Sequence, residues 1–197
     1  MNTQQHIHNF LEKNYPYYNQ FLKKMISINS YTENPKGIQT LSNCLNDYFK
    51  KLHFKRIQIP HKIKQYGNHT VFFKQGTSKF KVAILLHLDT VYSKEEEEIN
   101  NFHYNINGNK LYGPGSNDMK GGILTAFMML HCLEKLYKKC FNNITWHILC
   151  NSSEETNSDH FNTICRQYID EDTVASLVFE AGNIKDKKYN IVTSRKG

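Results

Sequence analysis

Apolar residues at helical spacing mark two segments in the first third of the chain. In the second segment, which follows Pro35 and Gly37, apolar side chains recur every three or four residues, which is the spacing of one buried helix face. The first segment carries a partial face of the same kind. The positions that define these faces are Leu11, Phe21, Leu22 and Met25, then Ile38, Leu41, Leu45 and Phe49. The first third of the chain is therefore expected to be helical.

The hydrophobic period then changes to that of β-strands. His69–Phe73 is a short run rich in β-forming residues, and Lys81–Leu86 is almost continuously apolar, as in a buried strand. Tyr104–Leu111 is expected to form a hairpin, because Asn107-Gly108 supplies a two-residue turn of the kind that joins antiparallel strands.

Helices and strands are expected to alternate in the rest of the chain. The segments are a helix over Met119–Lys139, a strand over Ile144–Cys150, a helix over Ser158–Tyr168, a strand over Val174–Phe179 and a candidate strand over Tyr189–Thr193. The first of these helices ends in a basic turn, which suits the helix dipole. Apolar strands that alternate with amphipathic helices predict an α/β fold with a largely parallel sheet, covered by helices on both faces.

Composition narrows the class of protein. The 197 residues suffice for one domain with a sizeable core, but not for two. Val82–Leu86 and Ile123–Leu130 are the longest apolar runs, and both are far shorter than the roughly 20 residues of a membrane-spanning helix. The N-terminus has no apolar stretch behind a basic start, so no secretory signal is expected. Five cysteines at irregular spacings favour reduced thiols in the cytoplasm.

The net charge of +7 raises the hypothesis of nucleic-acid binding. The lysines are scattered along the chain, however, and no zinc-finger or RNA-recognition pattern accompanies them. A solvated basic surface is the favoured interpretation, and the run Glu95–Glu98 is interpreted in the same way as a solvated loop. We therefore expect neither nucleic acid nor a membrane as a partner.

Histidine and carboxylate residues follow the predicted strands at their carboxyl ends. His87 and Asp89 come directly after one strand, Glu154 and Glu155 follow the next, and Glu180 follows a third. A fourth segment, Gly113–Asp118, precedes the long helix with a glycine-rich turn. Because ligands in open α/β sheets bind outside the carboxyl ends of the strands, these side chains are expected to meet at one edge.

Imidazole together with carboxylates is the donor set that suits zinc and neighbouring divalent metals. In an extended segment alternate residues point the same way, so Asp89 can reach the ring of His87 and fix its tautomer. Glu154 and Glu155 are adjacent and must point differently, so one can bind metal while the other faces water. Each element alone has an ordinary explanation as a hydrogen-bonded pair, a surface charge or a helix cap, and only their joint placement favours a metal site.

The same residues resemble a known family. Four blocks of the sequence occur in the same order as in that family. The first is His87-Leu88-Asp89-Thr90-Val91-Tyr92, and the second is Leu111–Gly122, which ends in Asp118-Met119-Lys120-Gly121-Gly122. The third is Ser153-Glu154-Glu155, and the fourth is Phe179-Glu180-Ala181-Gly182. This pattern resembles the two-zinc metallopeptidases that include glutamate carboxypeptidase, acetylornithine deacetylase, aminoacylase and succinyl-diaminopimelate desuccinylase. Thr90-Val91-Tyr92 and the closing Thr193–Gly197 look most similar to the glutamate carboxypeptidase branch.

The resemblance implies a role for each matching residue. His87 and Glu180 would bind one zinc, Glu155 would bind a second, and Asp118 would bridge both, with a cis peptide bond between Asp118 and Met119. Asp89 would orient His87, and Glu154 would be the general base. Cobalt or manganese could replace zinc, because the ligand types allow all three.

The implied activity is hydrolysis of an amide bond next to a free carboxylate, in a small peptide or an N-acyl amino acid. The water is activated between two metals, with Glu154 as base. A second hypothesis is a catalytically inactive remnant or subunit that keeps the fold. A third, a basic nucleic-acid-binding module, is supported by net charge alone and predicts salt-sensitive binding without metal.

The chain also departs from the family pattern. Members are about twice as long, so residues 1–197 are expected to be the N-terminal portion of the catalytic domain, incomplete at its C-terminal end. The lid or dimerisation domain would be absent, together with one more zinc-binding histidine, and a homodimer is expected only where that lid is present. His131, His147 and His160 do not match the missing ligand and are interpreted as core or surface histidines. Ser153 stands where the family usually has aspartate.

Overall fold

The computed structural model describes residues 2–182 and the short paired segments Ile184–Lys185 and Lys188–Tyr189. Within these residues the elements are, in chain order, α1 (Thr3–Ile26), α2 (Pro35–Phe49), β1 (Lys55–Ile59), β2 (His69–Lys74), β3 (Lys81–His87), α3 (Lys94–Ile99), β4 (Asn105–Asn107), β5 (Lys110–Tyr112), α4 (Lys120–Leu136), α5 (Lys138–Asn143), β6 (Thr145–Asn151), α6 (Asp159–Tyr168), β7 (Thr173–Val178), β8 (Ile184–Lys185) and β9 (Lys188–Tyr189).

The two predicted N-terminal helices are present, and each begins at an asparagine cap. The Asn2 side chain accepts a hydrogen bond from the Gln5 N–H at 2.9 Å, and Asn34 accepts one from the Gly37 N–H at 3.0 Å. Most of the predicted apolar positions are fully buried: Phe21, Met25, Ile38, Leu41, Leu45 and Phe49. Leu11 and Leu22 are only partly buried at the border of the core.

Five strands form one sheet in the order β1-β2-β6-β3-β7. Strands β6, β3 and β7 are parallel, whereas β2 is antiparallel to both of its neighbours, β1 and β6. Four strands therefore point one way and β2 alone points the other way, so the predicted α/β fold with a largely parallel sheet is confirmed. One edge of the sheet carries the carboxyl ends of β3, β6 and β7 together with the beginning of β2.

Helices cover both faces of the sheet, and the larger core lies under α1, α2 and α4. Aromatic rings fill its centre. Phe21 stacks on Tyr48 with ring centroids 3.6 Å apart, and Phe127 of α4 meets both rings edge-on at 5.2 and 5.8 Å. A smaller core on the opposite face consists of Val71, Leu149, Phe161 and Ile164. Packing on both faces fixes the sheet edge where the predicted site lies.

The acidic run Glu95–Glu98 was wrongly predicted to be a loop, because it belongs to helix α3. Ser93 caps this helix, and its side chain and that of Glu96 each accept a hydrogen bond from the other's backbone N–H, a reciprocal capping box. Glutamates in the first turn also complement the helix dipole. The run is mostly solvated, as expected, but it is ordered by its cap.

The long predicted helix over Met119–Lys139 is divided into α4 and α5 at Tyr137, which leaves the helical conformation. This break lets Phe141 turn into the core, where it is fully buried. The predicted hairpin is present as β4 and β5, and Gly108 adopts a positive φ of 57° in its turn. Among the described residues, no helix combines the length and apolarity that crossing a membrane requires.

Strand β1 was not predicted, because Lys55–Ile59 mixes charged and apolar residues and lies at the edge of the sheet. At the other end, Tyr189 pairs with Ile184 in the β8–β9 hairpin. The remainder of the predicted strand over Tyr189–Thr193, and the closing block Thr193–Gly197, lie outside the described residues.

Candidate metal centre

The predicted ligands come from the ends of the three parallel strands. His87 is the last residue of β3, Glu154 and Glu155 follow the end of β6 by three and four residues, and Glu180 follows the end of β7 by two. Asp118 precedes α4, and the peptide bond between it and Met119 is cis, as the resemblance implied. Parallel strands end at the same edge of a sheet, which explains how segments so distant in sequence meet.

His87 lies at the centre of this arrangement and is almost completely buried. Its Nε2 atom is 2.8 Å from Asp118 Oδ1 and 3.9 Å from Glu180 Oε1. One side-chain nitrogen or oxygen atom from each of His87, Asp118 and Glu180 lies within 4.8 Å of the other two, and the same is true of His87, Glu154 and Glu155. The structure therefore brings four carboxylate residues around one imidazole.

Asp89 is buried beside the ring of His87, and both its backbone carbonyl and its carboxylate face Nδ1. The Nδ1–H of His87 donates to the backbone carbonyl of Asp89 at 3.0 Å, while the nearest carboxylate oxygen is 3.4 Å away. This bond keeps a proton on Nδ1, so Nε2, which faces Asp118 and Glu180, is the ring atom that can exchange its proton for a cation. The tautomer suits a ring that binds metal through Nε2.

The carboxylate of Asp89 also holds the segment that carries the two glutamates. It accepts hydrogen bonds from the backbone N–H groups of Glu154 at 3.0 Å and Glu155 at 3.1 Å, and from the hydroxyl of Thr32 at 2.9 Å. Sequence reasoning missed this role and missed Thr32, because no local pattern relates position 32 or 89 to position 154. The buried carboxylate therefore links β3 to the loop after β6.

The carboxylates of this edge are crowded. Burial, together with the negative charges of Asp118, Asp89 and Glu154, raises the pKa of Glu155 to about 7, although the charge of His87 acts in the opposite direction. Burial, together with the charge of Asp118, also raises the pKa of Glu180. Several carboxylates held together in this way repel one another, and a bound cation would relieve that repulsion.

The same negative surroundings act on His87. Burial alone would lower its pKa, but the hydrogen bond and charge of Asp89, the hydrogen bond to Asp118 and the charge of Glu180 outweigh burial and raise the pKa to about 9. The negative field that favours a proton on Nε2 also favours a divalent cation there. One imidazole with several carboxylate oxygens is a donor set that fits zinc, and cobalt or manganese as well.

Lys120, the first residue of α4, is a second residue that sequence reasoning missed. Its side chain is 1% exposed, and its ammonium donates to the carbonyl of Ile28 at 2.8 Å. Burial lowers its pKa to about 8, although the charge of Glu97 acts in the opposite direction. This bond fixes the start of α4, and therefore Asp118, to the segment that follows α1.

Gly122 allows α4 to approach the segment that carries Glu180. A Cβ atom at this position would lie 2.0 Å from the carbonyl oxygen of Phe179. We expect Gly122→Ala to cost about 1–3 kcal/mol of unfolding free energy, despite the better helix propensity of alanine, and to weaken zinc binding by moving Glu180. Urea unfolding and zinc titration would measure both effects. Thr125→Ala, an exposed position of the same helix, is the control, and equal behaviour of the two variants would contradict this account.

The other histidines named in the sequence lie outside this centre. His131 packs in the aromatic core, and His147 donates from Nδ1 to the carbonyl of Tyr168. Among the described residues, neither belongs to a group that could hold a metal. His160 does belong to such a group, together with His61 and His69.

Comparison with known proteins gives one family match by sequence. The model of peptidase family M20/M25/M40 matches residues 83–192, which is more than half of the chain. Carboxypeptidase G2 from Pseudomonas sp. (strain RS-16) is 28% identical over 176 residues, which are 88% of this chain and 40% of that protein. The chain therefore spans less than half the length of this relative.

Comparison of folds finds many solved structures that are similar to this chain. Human carnosine dipeptidase 1 superposes with a TM-score of 0.73 at 14% identity, covering 91% of this chain and 42% of that one. The metallo-carboxypeptidase Sso-CP2 from Sulfolobus solfataricus superposes with a TM-score of 0.66 at 16% identity, covering 84% of this chain and 37% of that one. At these identities the superpositions bear on the fold alone.

Proposed function

Because this chain belongs to peptidase family M20/M25/M40, we propose that it is a metal-dependent hydrolase acting on an amide bond next to a free carboxylate. The substrate would be a small peptide or an N-acyl amino acid. The observation that carries the proposal is the gathering of Asp118, Glu154, Glu155 and Glu180 around the ring of His87. The carboxypeptidase relative supports the choice of a bond beside a carboxylate.

Two groups of residues would hold the metals. His87 and Glu180 would bind one ion, Glu155 would bind the other, and Asp118 would lie between the two. When bound, a pair of divalent cations supplies a polarised carbonyl and an acidified water. The donor set fits zinc, and the raised pKa values of Glu155 and Glu180 support a site built for positive charge.

The residues of the chain have distinct tasks in this proposal. Glu154 accepts a proton from the attacking water and later gives it to the departing amine, as a general base and then a general acid. Asp89 holds Glu154 and Glu155 at fixed positions through their N–H groups. The Asp89 carbonyl keeps the proton of His87 on Nδ1, so that Nε2 remains an acceptor for a cation.

The cavities beside the centre give the substrate a place to lie. A cavity of about 250 Å³ lies between Thr90, Asp118 and Glu155, and it shares Tyr92 with a larger one of about 400 Å³. The larger cavity is lined by Tyr92, Phe102 and Tyr112, and the first two rings contact each other at 4.9 Å. We expect the acyl or side-chain portion of the substrate to occupy this aromatic cavity, and ring-bearing substrates to be preferred.

The test combines metal content with hydrolysis. The full chain is purified with zinc, the bound metal is counted by mass spectrometry, and release of amino acid from dipeptides and N-acyl amino acids is followed. We expect zinc to bind, chelation to abolish hydrolysis, and cobalt or manganese to restore it. Zinc at 100 times its dissociation constant should also raise the free energy of unfolding by about 2.7 kcal/mol.

Each other outcome has a defined meaning. A chain that binds no divalent metal contradicts the proposal altogether. A chain that binds zinc at His87 but hydrolyses none of these amides supports the second hypothesis, in which the fold and the centre are kept without catalysis.

A further inference from the structure

Three imidazoles lie together beside the glutamate-bearing segment, outside the metal centre. His61 belongs to the loop between β1 and β2, His69 begins β2, and His160 lies in the first turn of α6. Their ring centroids are 4.7, 5.0 and 5.1 Å apart. His69 is completely buried, and the other two are half-buried. Three chain segments distant in sequence therefore contribute one ring each to a single cluster.

The hydrogen bonds determine the tautomer of each ring. The Nδ1 atom of His61 faces the Ile63 N–H at 2.9 Å, and that of His69 faces the Ser152 N–H at 3.1 Å. The Nδ1 atom of His160 faces the Lys62 N–H at 3.4 Å. A backbone N–H only donates, so each Nδ1 must accept and each proton of a neutral ring must lie on Nε2.

The remaining contacts agree with this assignment. His69 donates from Nε2 to Nδ1 of His160 at 3.2 Å, and His61 donates from Nε2 to the Ser153 hydroxyl at 3.2 Å. The Ser153 hydroxyl in turn donates to the carbonyl of Asn157 at 2.6 Å. The Nε2–H groups of His61 and His69 and the Ser153 hydroxyl thus each meet an acceptor when all three rings are uncharged.

Two of these bonds end on Ser152 and Ser153, which directly precede Glu154 and Glu155. The Ser152 hydroxyl also donates to the carbonyl of Gly67 at 2.7 Å, in the same loop that contains His61. The cluster therefore holds the glutamate segment from one side, while Asp89 holds it from the other.

We propose that His61, His69 and His160 are positioning residues, which hold Ser152–Glu155 in place as an uncharged hydrogen-bonded cluster. The inference rests on the proposed function only in assigning Glu154 and Glu155 to the metal centre. The hydrogen-bonded arrangement itself is independent of that function.

A metal bound by the cluster is the competing interpretation, because one nitrogen of each ring lies within 4.8 Å of the others. Coordination through Nε2 would transfer the ring protons to Nδ1. For His61 and His69 those protons would then point at the N–H groups of Ile63 and Ser152. Metal-binding histidines normally donate their second N–H to an acceptor, so the observed contacts favour the uncharged cluster.

Protonation would disrupt the cluster for the same reason. Burial lowers the pKa of all three rings, that of His69 to about 3, and for His69 the neighbouring imidazoles add to the effect. The charge of Lys62 also lowers the pKa of His160, whereas the Asp89 carboxylate raises that of His69. The ring of Tyr66 packs against His61.

Because these pKa values are lowered by folding, the unfolded chain binds protons more readily than the cluster does. Stability from the cluster is complete above about pH 6.5 and decreases as the pH falls below it.

The experiment uses the full chain, labelled with ¹⁵N, and long-range ¹H–¹⁵N spectra of the imidazoles at pH 7.5. We expect His61, His69 and His160 to carry their proton on Nε2, whereas His147, which donates from Nδ1, is an internal reference for the other tautomer. Charged rings at this pH, or protons on Nδ1, would overturn the proposal. So would a zinc titration in which Nε2 of these three rings coordinates the metal.

Paired substitutions test the link to the metal centre. His69→Asn places a side-chain oxygen near the former Nδ1 and keeps an acceptor for the Ser152 N–H, whereas His69→Leu removes it. We expect zinc affinity at the His87 centre to fall about tenfold in H69L and to stay near the original value in H69N. His147→Leu is the matched control, since it lies in the same sheet without contacting the glutamate segment.

The outcomes separate the two proposals. Equal zinc affinity in H69L and H69N would overturn the positioning role. A chain that binds no zinc at His87 defeats the proposed function, but the tautomers and the hydrogen exchange of the Ser152 amide still decide the arrangement of the cluster. If H69L does not fold, the tautomers of the three rings and the zinc affinity of H69N decide the positioning role.

Discussion

Glu154→Gln is expected to lower kcat by about 10²–10⁴-fold while leaving zinc in place. The Glu154 side chain is exposed at the mouth of the centre, where it can reach a water, and its backbone N–H is held by Asp89. Glutamine keeps the size of the side chain but cannot accept and return a proton. Steady-state kinetics with an N-acyl amino acid, together with metal analysis, would measure the two effects separately.

The adjacent residue supplies the matched comparison. Glu155→Gln removes a proposed metal ligand one position away, so we expect it to reduce zinc content as well as activity. If Glu154→Gln released zinc to the same extent, or kept full activity, the division of roles between the two glutamates would be wrong.

Asp89→Ala is expected to have the largest effect on stability. The side chain is completely buried, and its removal leaves the N–H groups of Glu154 and Glu155 and the Thr32 hydroxyl without their acceptor. Each buried polar group left without a partner costs about 1–3 kcal/mol, so a loss of more than about 2 kcal/mol is expected. Zinc affinity should fall about 10–100-fold, because the glutamate segment is no longer held.

Denaturant unfolding and zinc competition would measure this prediction. Asp47→Ala is a suitable control, because Asp47 forms an exposed ion pair with Lys50 that is worth less than about 1 kcal/mol. Similar losses in the two variants would show that the buried carboxylate of Asp89 does not hold the loop after β6.

The sequence predicted the fold where its period was strong and continuous. The apolar strand over Lys81–Leu86 and the second N-terminal helix lie close to their expected bounds. The proposed ligands His87, Glu155 and Glu180 could be expected to lie together because a general property of parallel sheets assigns the ends of β3, β6 and β7 to one edge. That reasoning requires only the order of strands and ligands, without any distances.

Features that depend on contacts between distant segments could not be predicted. Sequence spacing suggested that the Asp89 carboxylate reaches His87, and one of its oxygens does lie 3.4 Å from Nδ1. The closer contact of the Asp89 carbonyl, and the hydrogen bonds of the carboxylate to positions 154 and 155, were not predicted. His160 meets His69 across 91 residues of chain, and no local pattern relates them. Strand β1 is stabilised by pairing with β2, not by its own composition.

The reversed direction of β2 has a practical consequence for protein engineering. Because β2 starts where its antiparallel neighbour β6 ends, the loop over residues 60–68 belongs to the same rim as the proposed metal centre, although it precedes every proposed ligand in the chain. The turn over residues 75–80 lies at the far end of the sheet, where it bonds to Asn142 and Asn143. A fluorophore or epitope inserted in the turn should leave metal binding intact, whereas the same insertion before β2 should impair it.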